Sequence, residues 1–257
     1  MYHLLSGLYS EWARPTTSNV LLVGPSGSGK TALLARLRHR VAPPDAAKQL
    51  PRIGGDGGPK VKGIPPTVGQ NVLDFRPPAA PSGVQVRVWD LGGAASLRPI
   101  WLRYLSEAHV LIWALDVRLW DGAGSRKEGN GKEKAREGED SREEGWSALA
   151  AILPQLALDV PLVVCASDLG HFSVLRREAL EALEDAGEES NTEEARVAAI
   201  HALEERASEA MRELREDYTK RLEGLGREAR FVQGWSEGST DELLQMLTEH
   251  AVRRKQQ

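Results

Sequence analysis

The sequence predicts an α/β fold with a mainly parallel central sheet flanked by helices, and three observations predict it. Continuous apolar runs of buried-strand length recur at Val20–Val23, Val110–Leu115 and Pro161–Ala166. Such runs suit strands covered on both faces. Val84, Val86 and Val88 alternate with Gln85, Arg87 and Trp89, the two-residue period of a strand with unlike faces. Segments with a helical period lie between these strands, and strands alternating with helices build a layered sheet of parallel strands.

Taken in order, Val20–Val23 ends in a glycine-rich turn that leads into a helical pattern. Leu33, Leu34 and Leu37 lie on one side of it, and Arg36, Arg38 and Arg40 elsewhere. Residues 42–63 are rich in Pro and Gly without a hydrophobic period, and residues 121–145 mix Gly with both signs of charge and carry no large apolar side chain. Both are expected to be mobile insertions in surface loops, since neither can bury enough surface to offset chain entropy. From about Glu193 to Leu222, Val197, Ile200, Leu203, Ala207, Met211, Leu214, Tyr218 and Leu222 recur at three- and four-residue steps, an extended helix expected to pack on its own domain. Phe231–Gln233 is the candidate last strand and Asp241–His250 the closing helix. The chain thus divides into an amphipathic segment 1–17, one domain over 18–251 and a basic tail 252–257 holding Arg253, Arg254 and Lys255.

Composition narrows the function classes. Among 257 residues, 33 Lys and Arg stand against 37 Asp and Glu, a net charge of −4 that offers nucleic acid no basic field. The single Cys165 excludes a disulfide framework or a cysteine-built zinc site and suits a reducing compartment. No apolar run approaches the roughly 20 residues that span a bilayer, and no basic, apolar and cleavage regions follow one another as in a secretory leader. The expectation is a soluble intracellular protein whose membrane contact, if any, is peripheral.

Gly24-Pro25-Ser26-Gly27-Ser28-Gly29-Lys30-Thr31 fits G-x-x-x-x-G-K-[ST] in full, after a strand and before a helix. Glycines let backbone N–H groups surround phosphate oxygens without steric conflict, and the following helix directs the positive end of its dipole at the same anion. Lys30 is placed to reach the β- and γ-phosphates, and Thr31 to put its hydroxyl on Mg²⁺. The motif leaves the base and the reaction open, because kinases, ATPases and GTPases share it.

Ile64-Pro65-Pro66-Thr67-Val68-Gly69-Gln70-Asn71-Val72 precedes the second strand, and Trp89-Asp90-Leu91-Gly92-Gly93 ends the third. With Ser96-Leu97-Arg98-Pro99-Ile100-Trp101 and Tyr104, these stretches resemble the two switch segments of the Arf family of small GTPases. Met1-Tyr2-His3-Leu4-Leu5-Ser6-Gly7-Leu8-Tyr9 looks like the start of the Arf-related class, which acts at the Golgi. The resemblance covers roughly the first 115 residues without the insertion. It implies the small-GTPase fold, a GTP/GDP switch with Mg²⁺, and regulation of vesicle traffic through an exchange factor, an activating protein and effectors. It further implies that Thr67 completes the Mg²⁺ shell and senses the γ-phosphate, that Asp90 holds Mg²⁺ through water, and that the Gly93 N–H bonds the γ-phosphate. One carboxylate with two hydroxyls suits a hard cation that keeps part of its water.

Two departures stand out. Ala94 occupies the position of the family's water-orienting glutamine, and a methyl group cannot position water or support developing charge, so slow hydrolysis is expected. The family's N-K-x-D is reduced here to Ser167-Asp168-Leu169, and its S-A-K loop to Ser236. Asp168 can accept from guanine N1–H and N2–H, or can cap a turn before Gly170. A non-cycling scaffold and, less favoured, a small P-loop kinase or ATPase are therefore the rival readings. At the N-terminus, Leu4, Leu8 and Trp12 form an apolar face suited to a membrane interface or to folding back on the domain. Tyr2 in place of Gly excludes N-myristoylation, and the resemblance implies capture of Tyr2–Trp12 by a Golgi membrane protein.

Overall fold

A computed structural model of the chain describes residues 16–47, 65–78, 80–121, 131–167, 171–187, 191–233 and 237–256. The strands are β1 (Thr16–Val23), β2 (Gln70–Phe75), β3 (Val84–Leu91), β4 (Val110–Asp116), β5 (Leu162–Ser167) and β6 (Ala229–Gln233). The helices are α1 (Lys30–Val41), α2 (Trp101–Leu105), α3 (Gly131–Ile152), α4 (His171–Asp185), α5 (Glu193–Glu223) and α6 (Glu237–Gln256). A helical turn covers Pro44–Ala47, and 3-10 turns cover Ala95–Ile100 and Val117–Trp120.

The six strands form one sheet in the order β2-β3-β1-β4-β5-β6. β2 runs antiparallel to β3, and each other neighbouring pair is parallel. β1 is flanked by β3 on one side and β4 on the other, so the strand order reverses at β1 and its C-terminal end opens into a crevice. The expected strands are all present, with β1 starting four residues before the apolar run.

Period-two alternation gives the sheet two apolar faces. Leu21, Val23, Leu91, Trp113 and Leu115 face Leu149 of α3 and Leu214, Tyr218 and Leu222 of α5. Val20, Leu22, Val86, Val88 and Ile112 face Leu33, Leu34 and Leu37 of α1 and Leu243, Leu247 and Ala251 of α6. No described helix is long and apolar enough to cross a membrane.

Three expectations change. The segment 121–145 is not a loop throughout, because α3 begins at Gly131. Lys132, Glu133, Lys134, Ala135, Arg136 and Glu137 are good helix formers, and Ala148, Leu149 and Ile152 anchor the far end of the helix in the core. A lack of large apolar side chains predicts exposure, not absence of helix. Arg253–Lys255 is likewise no tail: it is the last turn of α6, with Arg254 Nη1 donating to the Thr17 carbonyl at 3.0 Å and the Lys255 amine to that of Ser82. Cations there match the negative end of the helix dipole. The stripe on α5 divides: Met211, Leu214, Tyr218 and Leu222 are buried, whereas Ile200 and Leu203 are half-buried and Val197 is exposed. Of the insertion 42–63, only 42–47 falls among the described residues, and the amphipathic stretch of the first 15 residues lies outside them.

Candidate phosphate-binding site

Residues 24–29 join β1 to α1 at the crevice where the strand order reverses. α1 has no side-chain cap on its first N–H groups and no acidic residue in its first turn, so its positive end is open toward an anion. Gly24 is required for close approach: a Cβ there would strike the Ala114 carbonyl of β4, and its φ is +152°. Gly93, across the cleft, is as constrained. A Cβ on it would lie 2.5 Å from both the Gly24 carbonyl and Lys30 Nζ. Only glycine at Gly93 lets the segment after β3 close onto the loop.

Lys30 lies almost wholly inside this closure. Its amine donates to the carbonyls of Gly24 (2.9 Å) and Pro25 (2.6 Å) and to Ser28 Oγ (3.3 Å). Burial pushes the amine down to about 8, with the charge of Asp90 opposing that shift and the charge of Arg98 adding to it. Asp90, fully buried at the end of β3, is shifted upward by desolvation, against the hydrogen bonds it receives from Asn71, Thr31 and Thr67 and the charge of Lys30.

Side-chain oxygens of Thr31, Thr67 and Asp90 meet here. Thr31 Oγ1 donates to Asp90 Oδ2 at 2.9 Å and lies 2.8 Å from Thr67 Oγ1. Asn71 Nδ2 donates to Asp90 Oδ2 at 2.9 Å and to Thr67 Oγ1 at 3.4 Å. Asp90 Oδ1 remains buried with no hydrogen-bond partner among the described residues. A buried carboxylate oxygen without a donor is costly, and a bound cation or its water would satisfy it. Thr31, Thr67 and Asp90 would offer a hard cation such as Mg²⁺ the kind of oxygen ligands it takes together with phosphate and water. Among the described residues, no group of three or more His, Cys, Asp or Glu forms a metal cluster.

A cavity of about 230 Å³ opens beside these groups, lined by Ser26, Gly27, Gly29, Thr31, Pro65, Pro66, Thr67, Gly93 and Ala94. Ala94 stands in its wall and presents only a methyl group. All the phosphate and metal candidates therefore gather in one cleft. The two base candidates, Asp168 and Ser236, lie outside the described residues. Asn71 is a member whose role the motif did not reveal, although the register pairs it directly with Asp90. The signal was present: an amide side chain in a strand where apolar or surface residues are usual. Next to Gly93, the Gly92 carbonyl accepts from Trp101 Nε1–H at 3.0 Å, which ties this segment to the core.

Comparison with known proteins matches part of the chain, and the family match holds Thr67, Asp90 and Gly93 but not residues 24–31. The profile of the ADP-ribosylation factor family matches residues 57–127. ADP-ribosylation factor-like protein 3 of Saccharomyces cerevisiae is 34% identical over 116 residues, covering 45% of this chain and 50% of that protein. ADP-ribosylation factor-like protein 1 of the same yeast is 29% identical over 119 residues, 45% of this chain and 51% of that protein. ADP-ribosylation factor-related protein 1 of Bos taurus is 30% identical over 116 residues, with coverages of 45% and 50%. The chain spans about half the length of the curated relatives it matches.

Proposed function

We propose that this chain, which belongs to the ADP-ribosylation factor family as a divergent member, is a guanine-nucleotide switch that binds GTP with Mg²⁺ and recruits effectors in that state. The observation that carries the proposal is the meeting of Thr31, Thr67 and Asp90 oxygens beside the buried Lys30 amine at the open end of α1. Mg²⁺, held by Thr31 and Thr67 directly and by Asp90 through water, would neutralise phosphate charge there. The loop N–H groups and Lys30 bind the phosphates, and the Gly93 N–H meets the terminal one. Thr67 and Gly93 come from two separate segments that both line the cavity, so a γ-phosphate that touches both favours the closed arrangement over any open one.

Hydrolysis in this reading is slow unless another protein supplies the missing group, because Ala94 has nothing with which to orient water. Asp168 and Ser236 are the residues proposed to read guanine. The resemblance of Met1–Tyr9 to the Arf-related class supports a peripheral site of action at the Golgi, in vesicle traffic, with Tyr2–Trp12 as the membrane or receptor contact. Ala94 also favours a second reading, a scaffold that holds nucleotide without cycling. Titration of labelled GTP, GDP and ATP with and without Mg²⁺ tests the first; Mg²⁺-dependent affinity for GTP over ATP is expected, and equal indifference to all three overturns it. Nucleotide that stays bound and unhydrolysed over many hours, with or without candidate activating proteins, would favour the scaffold.

A further inference from the structure

Arg98 sits in the 3-10 turn Ala95–Ile100, four residues beyond the alanine in the cleft wall. Its side chain is largely covered, yet its Nε–H is buried with no acceptor among the described residues. Its Nη2 donates to Glu144 Oε1 of α3 at 2.5 Å. Its charge also reaches Lys30, where it adds to burial in disfavouring the ammonium. Two cations thus bear on one small region, and one of them keeps a buried donor in reserve. A buried N–H without an acceptor is a cost that wants a reason.

We infer that Arg98 is a further phosphate-binding group of the cleft, held aside by Glu144 in the state described and drawn in by the terminal phosphate of a bound nucleotide. The inference rests on the proposal that the cleft takes a triphosphate. Three features support the exchange. Glu144 is mostly exposed, and an ion pair whose carboxylate faces water holds its partner weakly. A phosphoryl group offers a guanidinium two parallel charge-assisted bonds and an acceptor for the orphaned Nε–H. No residue of the turn that carries Arg98 is fully buried, and only its last residue, Ile100, packs against the core, so a shift of Arg98 need not disturb the buried side chains of the sheet. Arg98 then provides charge on the segment where Ala94 provides none.

The test is the preference for Mg²⁺-GTP over Mg²⁺-GDP, measured by competition against a fluorescent guanine nucleotide. R98A is expected to lower that preference about 10-fold, the scale of one charge-assisted hydrogen bond. E144Q is expected to raise it by roughly 3-fold, since it frees the guanidinium. R98K, which keeps the charge without the fork, should fall between wild type and R98A. A purely structural latch between the turn and α3 predicts that R98A and E144Q shift the preference in the same direction, because both cut one contact. A shift in the same direction, or no shift in either, overturns the inference. Thermal unfolding without nucleotide identifies a variant that has lost its fold, and E144Q and R98K carry the test if R98A does. Wild-type protein with no Mg²⁺-linked affinity for GTP overturns the triphosphate reading and this inference with it; wild-type binding with an unmoved preference overturns the inference alone.

Discussion

The cleft and the outer flank of α5 are both rich in polar side chains, but they treat them in opposite ways. On α5, Arg212 pairs with Glu209 and with Glu216, all three facing water and each partner one turn away. In the cleft, Lys30 and Asp90 are buried, are not joined in an ion pair, and lean on carbonyls and hydroxyls instead. Asp90 Oδ1 and Arg98 Nε have no partner at all among the described residues. Surface charges that neutralise one another keep a helix soluble and stabilise it little. Buried charges left short of partners oppose folding, so a sequence that keeps them is preparing a place for something else.

Reversing the charge at Lys30 should have the largest effect. Lys30→Glu puts a carboxylate where the phosphates are proposed to lie, and a buried uncompensated charge costs about 3–5 kcal/mol. Affinity for Mg²⁺-GTP should fall on the order of 10³-fold or beyond detection in a filter-binding assay. Binding within a few-fold of wild type would mean that the buried amine serves the fold alone.

Next in size is the core half of α5. Leu214 is fully buried between α5 and the sheet, so Leu214→Ala should lose about 2–5 kcal/mol in urea unfolding. Val197, on the same stripe but more than half exposed, should tolerate alanine within about 0.5 kcal/mol. Equal losses at the two positions would mean that the outer half of the helix is covered by something not seen here.

That split within one helix shows where sequence patterning runs out. The three- and four-residue steps from Val197 to Leu222 establish a helix correctly, but periodicity carries no information about which stretch has a partner to bury against. The cleft was legible for a different reason. Gly24, Lys30 and Thr31 stand out by residue identity and spacing within one motif, and Thr67, Asp90 and Gly93 by the resemblance of their segments to the switch segments of a known family. Asn71 escaped because its role depends on lying opposite Asp90, a matter of strand register that local sequence does not state. Arg98 escaped for a like reason, since Glu144 is 46 positions away in the chain. The helix over Gly131–Ile152 was hidden by its composition, because charged residues propagate a helix as readily as they populate a loop.

A smaller effect follows from the Lys30 amine at about 8 against an ordinary 10.5. With the folded value below the unfolded one, the unfolded chain holds more protons between pH 8 and 10.5, so nucleotide-free stability should climb with pH across that window. The slope from this one group is at most about 1.4 kcal/mol per pH unit. Lys30→Met should flatten it, which separates this amine from other groups titrating there. The same shift predicts that phosphate binding near pH 8 takes up protons, because an anion restores the ammonium. Calorimetry in buffers of different ionisation enthalpy reads that uptake, and its absence would place the phosphate charge away from Lys30.

The smallest effect should come from the flank. Arg212 bridges Glu209 and Glu216 along the exposed side of α5, and the pairing holds its guanidinium well above the ordinary arginine value. Each partner lies one turn away, so the ions are brought together by the helix and do not brace it against the rest of the domain. Water solvates all three groups whether or not they touch, and salt screens what attraction remains. Arg212→Ala should therefore melt with the wild type, at low and at high ionic strength alike, and leave nucleotide affinity unchanged. A clear drop in melting temperature, growing as salt is removed, would show that surface pairing on this helix does more than solubilise it, and the contrast with the cleft would have to be drawn by burial alone.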